Sequence, residues 1–414
     1  MLKRFFVAFA LLISAFAVAQ TGTTSPYSFF GLGEEKFKGT VENRGMGGIG
    51  VYSDSIHMTL QNPAHLAELR LVNYTMGGSY RYNMLKTSID SDQASTVSLD
   101  YLALGVPIGD KFGASFGLLP LTTVGYQIES QLDPTITQFE GTGGINRVFV
   151  AAAYKVFKGL NIGAELNYNF GNIENTTVVS QENVQYGTRE FNKSDILGLS
   201  FNFGIAYKTM ITEVLELSTS LTFAPASPFT AENQRRLSTV VVTNFGETVE
   251  IDARDVEVAD VDFDFPSQLD IGVGIGRPKH WFIGAEFSNF TSSDFVNRSF
   301  DLSNVTFKDA KRYQVGGFII PNYNAFGRYF RRVVYRGGFR FEETGINVRG
   351  EDIDEFGISF GLGLPVGRLF SNVNITFEYG MRGTTDFGLI QENFFNTFIS
   401  LSLNDRWFEK RFYD

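Results

Sequence analysis

Three histidines, His57, His65 and His280, are the residues best suited to metal or general-base chemistry, and they lack the paired spacing of a zinc site. The chain has no cysteine, which excludes thiolate metal sites, disulfide scaffolds and cysteine catalysis. No nucleophile elbow, phosphate-binding loop or H-E-x-x-H pattern is present, so the expectation is no catalytic residue, no metal centre, no cofactor and no enzymatic activity. Gly45 to Gly50 spells G-x-G-x-x-G, but no buried strand precedes it and no βαβ unit surrounds it, so it does not read as a dinucleotide fingerprint. Glu250, Asp252, Asp255, Glu257, Asp260, Asp262 and Asp264 form an acidic run. Their spacing is not that of a calcium-binding helix–loop–helix, and their alternation with Ile251, Val256, Val258, Val261 and Phe263 reads as an extended hairpin. Glu286, Arg336, Arg340, Glu378 and Arg382 are charged positions within apolar alternating segments, and mixed charges of that kind brace a structure through buried pairs.

The elements that carry those charges are strands. From Leu197 to Lys208 the odd positions are Leu, Leu, Phe, Phe, Ile and Tyr, while Gly, Ser, Asn, Gly, Ala and Lys fall between them. Leu269 to Gly276, Phe356 to Gly363 and Val373 to Arg382 repeat the pattern. Alternate side chains of a strand point to opposite faces, so one face is apolar and the other small or polar. These segments run about 9 to 12 residues, longer than the roughly 5 or 6 of a sandwich strand and long enough to cross a bilayer with a tilt. A lipid-facing arginine at the midplane costs roughly 2–4 kcal/mol, which assigns the five charges to the lumen.

About fourteen such strands follow one another, with tight turns alternating with long polar loops, the asymmetry expected of periplasmic and external connections. The long connections are expected near 84–95, 127–144, 174–195, 225–266, 291–310, 343–354 and 383–393. Pro321 to Arg332 breaks the rule, standing where a short turn belongs. No run is apolar enough for a membrane helix apart from the start, where Lys3, Arg4, an apolar stretch and Ala17-Val18-Ala19 read as a secretory signal cleaved after Ala19. The net charge of −10 argues against nucleic acid. The reading is an all-β transmembrane antiparallel barrel in the outer membrane of a Gram-negative bacterium: signal peptide 1–19, N-terminal segment 20–68, barrel 69–408 and charged tail 409–414, with Trp407-Phe408 as the closing aromatic signal.

Residues 20–68 do not alternate. Asn43-Arg44-Gly45-Met46-Gly47-Gly48-Ile49-Gly50-Val51, then Ser53-Asp54-Ser55, then Asn62-Pro63-Ala64, resemble the start of the FadL/TodX family of outer-membrane transporters for hydrophobic compounds. The resemblance implies a fourteen-stranded barrel plugged from within by an N-terminal hatch carrying the Asn-Pro-Ala motif. It also implies a kinked third strand opening sideways to lipid. Pro120, within Leu118-Leu119-Pro120-Leu121, removes a ladder hydrogen bond in that strand and marks the expected opening. Passive uptake of small hydrophobic compounds follows, with Tyr27, Phe29, Phe30 and Leu32 as the expected ligand pocket and membrane lipid and the hydrophobic solute as partners. The alternative is a non-transporting barrel subunit of a larger outer-membrane secretion or barrel-assembly complex, whose other subunits would then be its partners.

Overall fold

A computed structural model describes residues 22–242, 248–293, 305–325, 327–366 and 371–406. The expected signal peptide 1–19, Trp407-Phe408 and the tail 409–414 lie outside the described residues. Fourteen antiparallel strands close into one barrel. They are β1 (Val72–Lys86), β2 (Ser91–Ile108), β3 (Phe112–Leu132), β4 (Thr135–Phe157), β5 (Leu160–Gln181), β6 (Gly187–Met210), β7 (Glu216–Ala224, continued by Ser227–Val242) and β8 (Thr248–Val256, Val261–Phe265 and Gln268–Arg277). The circuit continues with β9 (Trp281–Phe290), β10 (Ala310–Ile319), β11 (Val334–Val348), β12 (Glu351–Val366), β13 (Ser371–Arg382) and β14 (Gln391–Asp405). Pairing of β14 with β1, from Gln391 opposite Lys86 to Asp405 opposite Val72, completes the ring.

The alternation sorts the two faces as the sequence predicts. Leu199, Phe203, Val273, Ile358 and Tyr379 are exposed on the outside, while Ser200, Asn202, Asn374, Thr376 and Glu378 are buried on the inside. An exposed band of this composition is stable only against hydrocarbon. The chain is an outer-membrane barrel.

Five of the expected loops, 84–95, 127–144, 174–195, 225–266 and 343–354, are largely strand instead. Residues 127–144 and 174–195 belong to the tops of β3 to β6, where the ladder of β4 with β5 continues unbroken from Ile145 opposite Gly171 up to Thr135 opposite Gln181. Beyond the membrane both faces meet water, so the apolar half of the pattern fades although the backbone remains paired. The acidic run lies in the outer part of β8, antiparallel to the outer part of β7.

The wall has one weak seam. β2 and β3 pair only from Leu102 opposite Leu118 to Ile108 opposite Phe112. Past that point β3 carries a bulge against β4 between Pro120 and Thr122. Its free edge is covered by the N-terminal segment, where Glu34 and Glu35 pair with Thr123 and Thr122 and the Lys36 N–H donates to the Leu121 carbonyl at 2.9 Å.

Candidate functional site

The N-terminal segment, residues 22–69, is largely buried against inward-facing side chains of the wall. Its one α-helical turn, α1 (Val41–Arg44), is fixed by a capping box in which the Thr40 side chain accepts from the Asn43 N–H and the Asn43 side chain accepts from the Thr40 N–H. That turn aims Arg44 at the wall. Arg44 Nη2 and Nε lie 2.8 and 3.1 Å from Glu378 Oε2, with the guanidinium over the rings of Phe37 and Phe398. Arg340 Nε donates to Glu378 Oε1 at 2.9 Å, and Arg340 also pairs with Glu355. Glu355 joins Arg382, which reaches Glu34 at 3.3 Å, and Glu34 also takes Arg81 at 3.2 Å. Arg312 holds Glu342 through two hydrogen bonds of 2.7 and 3.1 Å.

Of the five lumen charges expected from sequence, Arg340, Glu378 and Arg382 fall into this one network. Arg336 and Glu286 do not. Arg336 donates to Asn374 Oδ1 at 3.1 Å, and Glu286 Oε2 accepts the Gly50 N–H at 2.9 Å. The network's other members, Arg44, Glu34, Arg81, Arg312, Glu342 and Glu355, escaped the sequence reading. Glu355 was within reach of it, since it shares the inward parity of Gly357 and Ser359 on β12. Arg44 and Glu34 lie in a segment with no period from which to infer a direction.

The Asn62-Pro63-Ala64 triplet has a clear local role. Asn62 caps a 3-10 turn over Pro63–Glu68, accepting the Ala64 N–H at 2.9 Å, and its amide donates to the carbonyls of Ile205 and Leu221 on β6 and β7. Proline suits the first position because that turn needs no N–H there. The triplet rests on wall glycines: a Cβ at Gly204 would lie 2.0 Å from Asn62 Oδ1, and one at Gly163 would lie 2.5 Å from the Ala64 nitrogen. The glycine-rich run serves the chain path in the same way, with Gly47 and Gly48 at φ +70° and +91° and the Gly47 N–H donating to Ser359 Oγ at 3.0 Å.

The histidines stand apart from one another. His57 Nδ1 lies 2.7 Å from Asp54 Oδ2 and its Nε2 lies 2.9 Å from Asn372. Burial works against the Asp54 carboxylate, but its hydrogen bonds and the His57 charge prevail and hold it down at about 2. Burial likewise opposes a charge on His57, and Asp54 overcomes it, raising the imidazole above its ordinary range. His65 is buried beside Thr59, and desolvation pushes it down to about 3. His280 stands alone in the turn between β8 and β9.

Among the described residues, four spaces share lining residues between the lumen and the gap in the wall. The first, about 200 Å³, is lined by Tyr27, Phe30, Leu32, Phe37, Phe265 and Phe290 together with arginines and glutamates of the network. Phe29 is not part of it and packs edge-on to Tyr126 at 5.1 Å. Phe37 also lines a second space of about 60 Å³ and a third of about 20 Å³, and Lys36 and Pro120 line both of these. Lys36 and Pro120 lead on to a fourth, about 650 Å³, bounded by Val97, Leu99, Thr122 and Asn172 where β2 and β3 part. Burial depresses the Lys36 ammonium to about 7, with Arg81 adding to the effect.

The fourteen-stranded fold is similar to that of solved outer-membrane channels of the FadL/TodX type. The toluene transporter TbuX of Ralstonia pickettii superposes with a TM-score of 0.62 at 16% identity, over 89% of this chain and 99% of that one. A FadL homologue of Pseudomonas aeruginosa gives 0.58 at 12% identity, over 90% and 98%, and the toluene transporter TodX of Pseudomonas putida 0.56 at 13%, over 89% and 98%. At these identities the likeness is one of fold. In sequence, the chain belongs to the BamG family, whose model matches residues 1–414. No curated protein sequence matches it.

Proposed function

We propose that the barrel passes small hydrophobic compounds sideways into the outer membrane, with residues 22–69 as the hatch that blocks the straight route. The run of cavities joined by Phe37, Lys36 and Pro120 supports this most strongly, because it leads from the aromatic chamber to the place where the β2–β3 ladder stops. A solute would shed water against Tyr27, Phe30 and Phe265, pass Phe37, and leave beside Pro120, where proline and the bulge keep the wall unpaired. Near neutral pH the depressed Lys36 would carry only part of a charge, which lowers the cost of an apolar molecule passing it. TbuX and TodX, by name toluene transporters, make toluene the first solute to try. Proteoliposomes should take up labelled toluene faster with the wild-type barrel than without it. Phe37→Trp, which fills the neck, and Pro120→Ala should each remove most of the gain. Uptake unchanged by both substitutions would end the proposal.

A second reading, a non-transporting subunit of a larger outer-membrane secretion or barrel-assembly complex, draws on a different observation. The tops of β6, β7 and β8 rise as a paired, ion-laced platform, with Arg189 and Arg236 on Glu250 at 2.5 and 2.6 Å and Arg235 on Glu190 at 3.2 Å. A lateral solute route has no need of such a platform. Mild detergent extraction separates the two: a stoichiometric partner set favours the subunit, and a lone barrel with a guest in its lumen favours the transporter.

A further inference from the structure

The connection between β10 and β11, where a short turn was expected, has unusual chemistry. From Pro321 to Phe341 the sequence contains no acidic residue, on a chain whose net charge is −10. Arg328, Arg331 and Arg332 are exposed there, and Arg277 and Lys279 lie in the neighbouring turn between β8 and β9. Among the described residues none of these five cations is in an ion pair, whereas the arginines of the lumen network all are. The segment is nonetheless built. The Asn322 N–H donates to the Arg331 carbonyl at 2.8 Å, Tyr329 forms a 3-10 turn with Phe330 and Arg331, and its hydroxyl donates to the Pro365 carbonyl of β12 at 3.2 Å. The Arg332 guanidinium lies over the Tyr329 ring at 5.6 Å. Phe330 is 75% exposed on this frame.

The direction of the segment identifies what it meets. Tyr335 stands in register with Ile319 of β10, which is exposed on the lipid side, and its hydroxyl donates to the Phe330 carbonyl at 3.1 Å. Tyr329 and Phe330 therefore stand at the foot of the lipid-facing wall, at the periplasmic boundary, with guanidiniums on either side of them in sequence. Aromatic rings at that level sit among headgroups, and unpaired arginines beside them attract phosphate.

We propose that Arg328, Arg331 and Arg332, with Tyr329 and Phe330, form a binding site for the headgroup of an anionic phospholipid of the periplasmic leaflet. The guanidiniums take the phosphate and the two rings enter the interface, so a specific lipid holds the barrel at this turn. The test is native mass spectrometry of the full barrel released from nanodiscs containing equal phosphatidylglycerol and phosphatidylethanolamine, at low salt. The wild type should retain phosphatidylglycerol preferentially. R328Q/R331Q/R332Q should lose that preference by about five-fold for each guanidinium removed, and Phe330→Ser should weaken retention of both lipids. Heat-modifiable gel mobility shows that each variant is folded. Equal retention of the two lipids by the folded wild type, or an unchanged preference in the folded triple variant, overturns the proposal. So does competition by millimolar inorganic phosphate, which would make the site one for free anion. Loss of a stoichiometric periplasmic protein from the triple variant, with lipid retention unaltered, would assign the patch to a protein instead.

Discussion

Glu378→Gln tests whether the N-terminal segment is held to the wall by charge. Glu378 is almost fully buried and serves two cations, Arg340 at 2.9 Å and Arg44 at 2.8 Å, besides accepting from Asn396 at 3.2 Å. Glutamine has the same shape and keeps one acceptor, so cavity effects are small and charge is what changes. Arg340 would still have Glu355 and, at 3.7 Å, Glu342. Arg44 would have only the rings of Phe37 and Phe398, leaving a buried cation without a carboxylate. At an effective dielectric near 20 each lost contact amounts to about 4 kcal/mol of attraction, and breaking one side of a buried pair costs about 3–5 kcal/mol net. That predicts a fall of more than about 1 M in the urea midpoint for unfolding in phospholipid vesicles, read by tryptophan fluorescence. Arg44→Met should cost less, because Glu378 keeps Arg340, and the double variant should recover much of the loss because the unpaired cation is gone. A wild-type midpoint for Glu378→Gln, or a double variant as poor as the sum of the singles, would refute the reasoning.

Asn62→Ala should lower stability by about 1–2 kcal/mol, through loss of the cap and of the hydrogen bonds to Ile205 and Leu221, measured in the same unfolding assay. Gly204→Val puts side-chain atoms where Asn62 rests and should leave residues 22–69 open to protease in a barrel that still resists heat in a gel. The Asp54–His57 pair gives a pH window. Asp54, held near 2 against an ordinary 3.8, contributes stability above about pH 4 that is lost as pH falls toward 2, and His57, raised above 6.5, contributes stability that is lost as pH rises through its folded value. Stability should therefore peak between these limits, and His57→Gln should remove the high-pH limb of the urea midpoint plotted against pH.

The wall was legible because hydrocarbon imposes a rule on every strand that crosses it. Leu199, Phe203 and Ile358 point outward since nothing polar can, and their neighbours point inward by geometry alone. The rule lapses outside the bilayer, which is why the paired tops of β3 to β6 passed for loops: Thr135, Thr137, Gln138 and Glu140 alternate nothing, yet each has its ladder partner. Pro120 was legible as a break for the reason that made it one, the missing N–H, but the short β2–β3 ladder beside it left no trace in Thr96 to Tyr101, which read as ordinary strand.

The interior obeys a different constraint, and there the sequence supports only part of the answer. Inward charges can be assigned by parity, as Arg340, Glu378 and Arg382 were, but their partners come from a segment without a period. Arg44 meets Glu378 across 334 residues of chain, and the only local sign of its direction is the Thr40–Asn43 box that starts its helical turn. The same contact bears on function. A lumen held by Arg44, Glu378, Arg340 and Glu355 resists removal of the N-terminal segment as a whole, so any passage must go around it. Phe37 and Lys36, which flank the remaining spaces, then matter more than the aromatic cluster of Tyr27, Phe29, Phe30 and Leu32 that the sequence singles out. A variant that loosens the network without touching Phe37, such as Glu378→Gln, should accordingly raise permeability to small polar solutes in planar bilayers while leaving toluene uptake near the wild-type rate. If instead both rise together, the two routes are one and the sideways path has no separate existence.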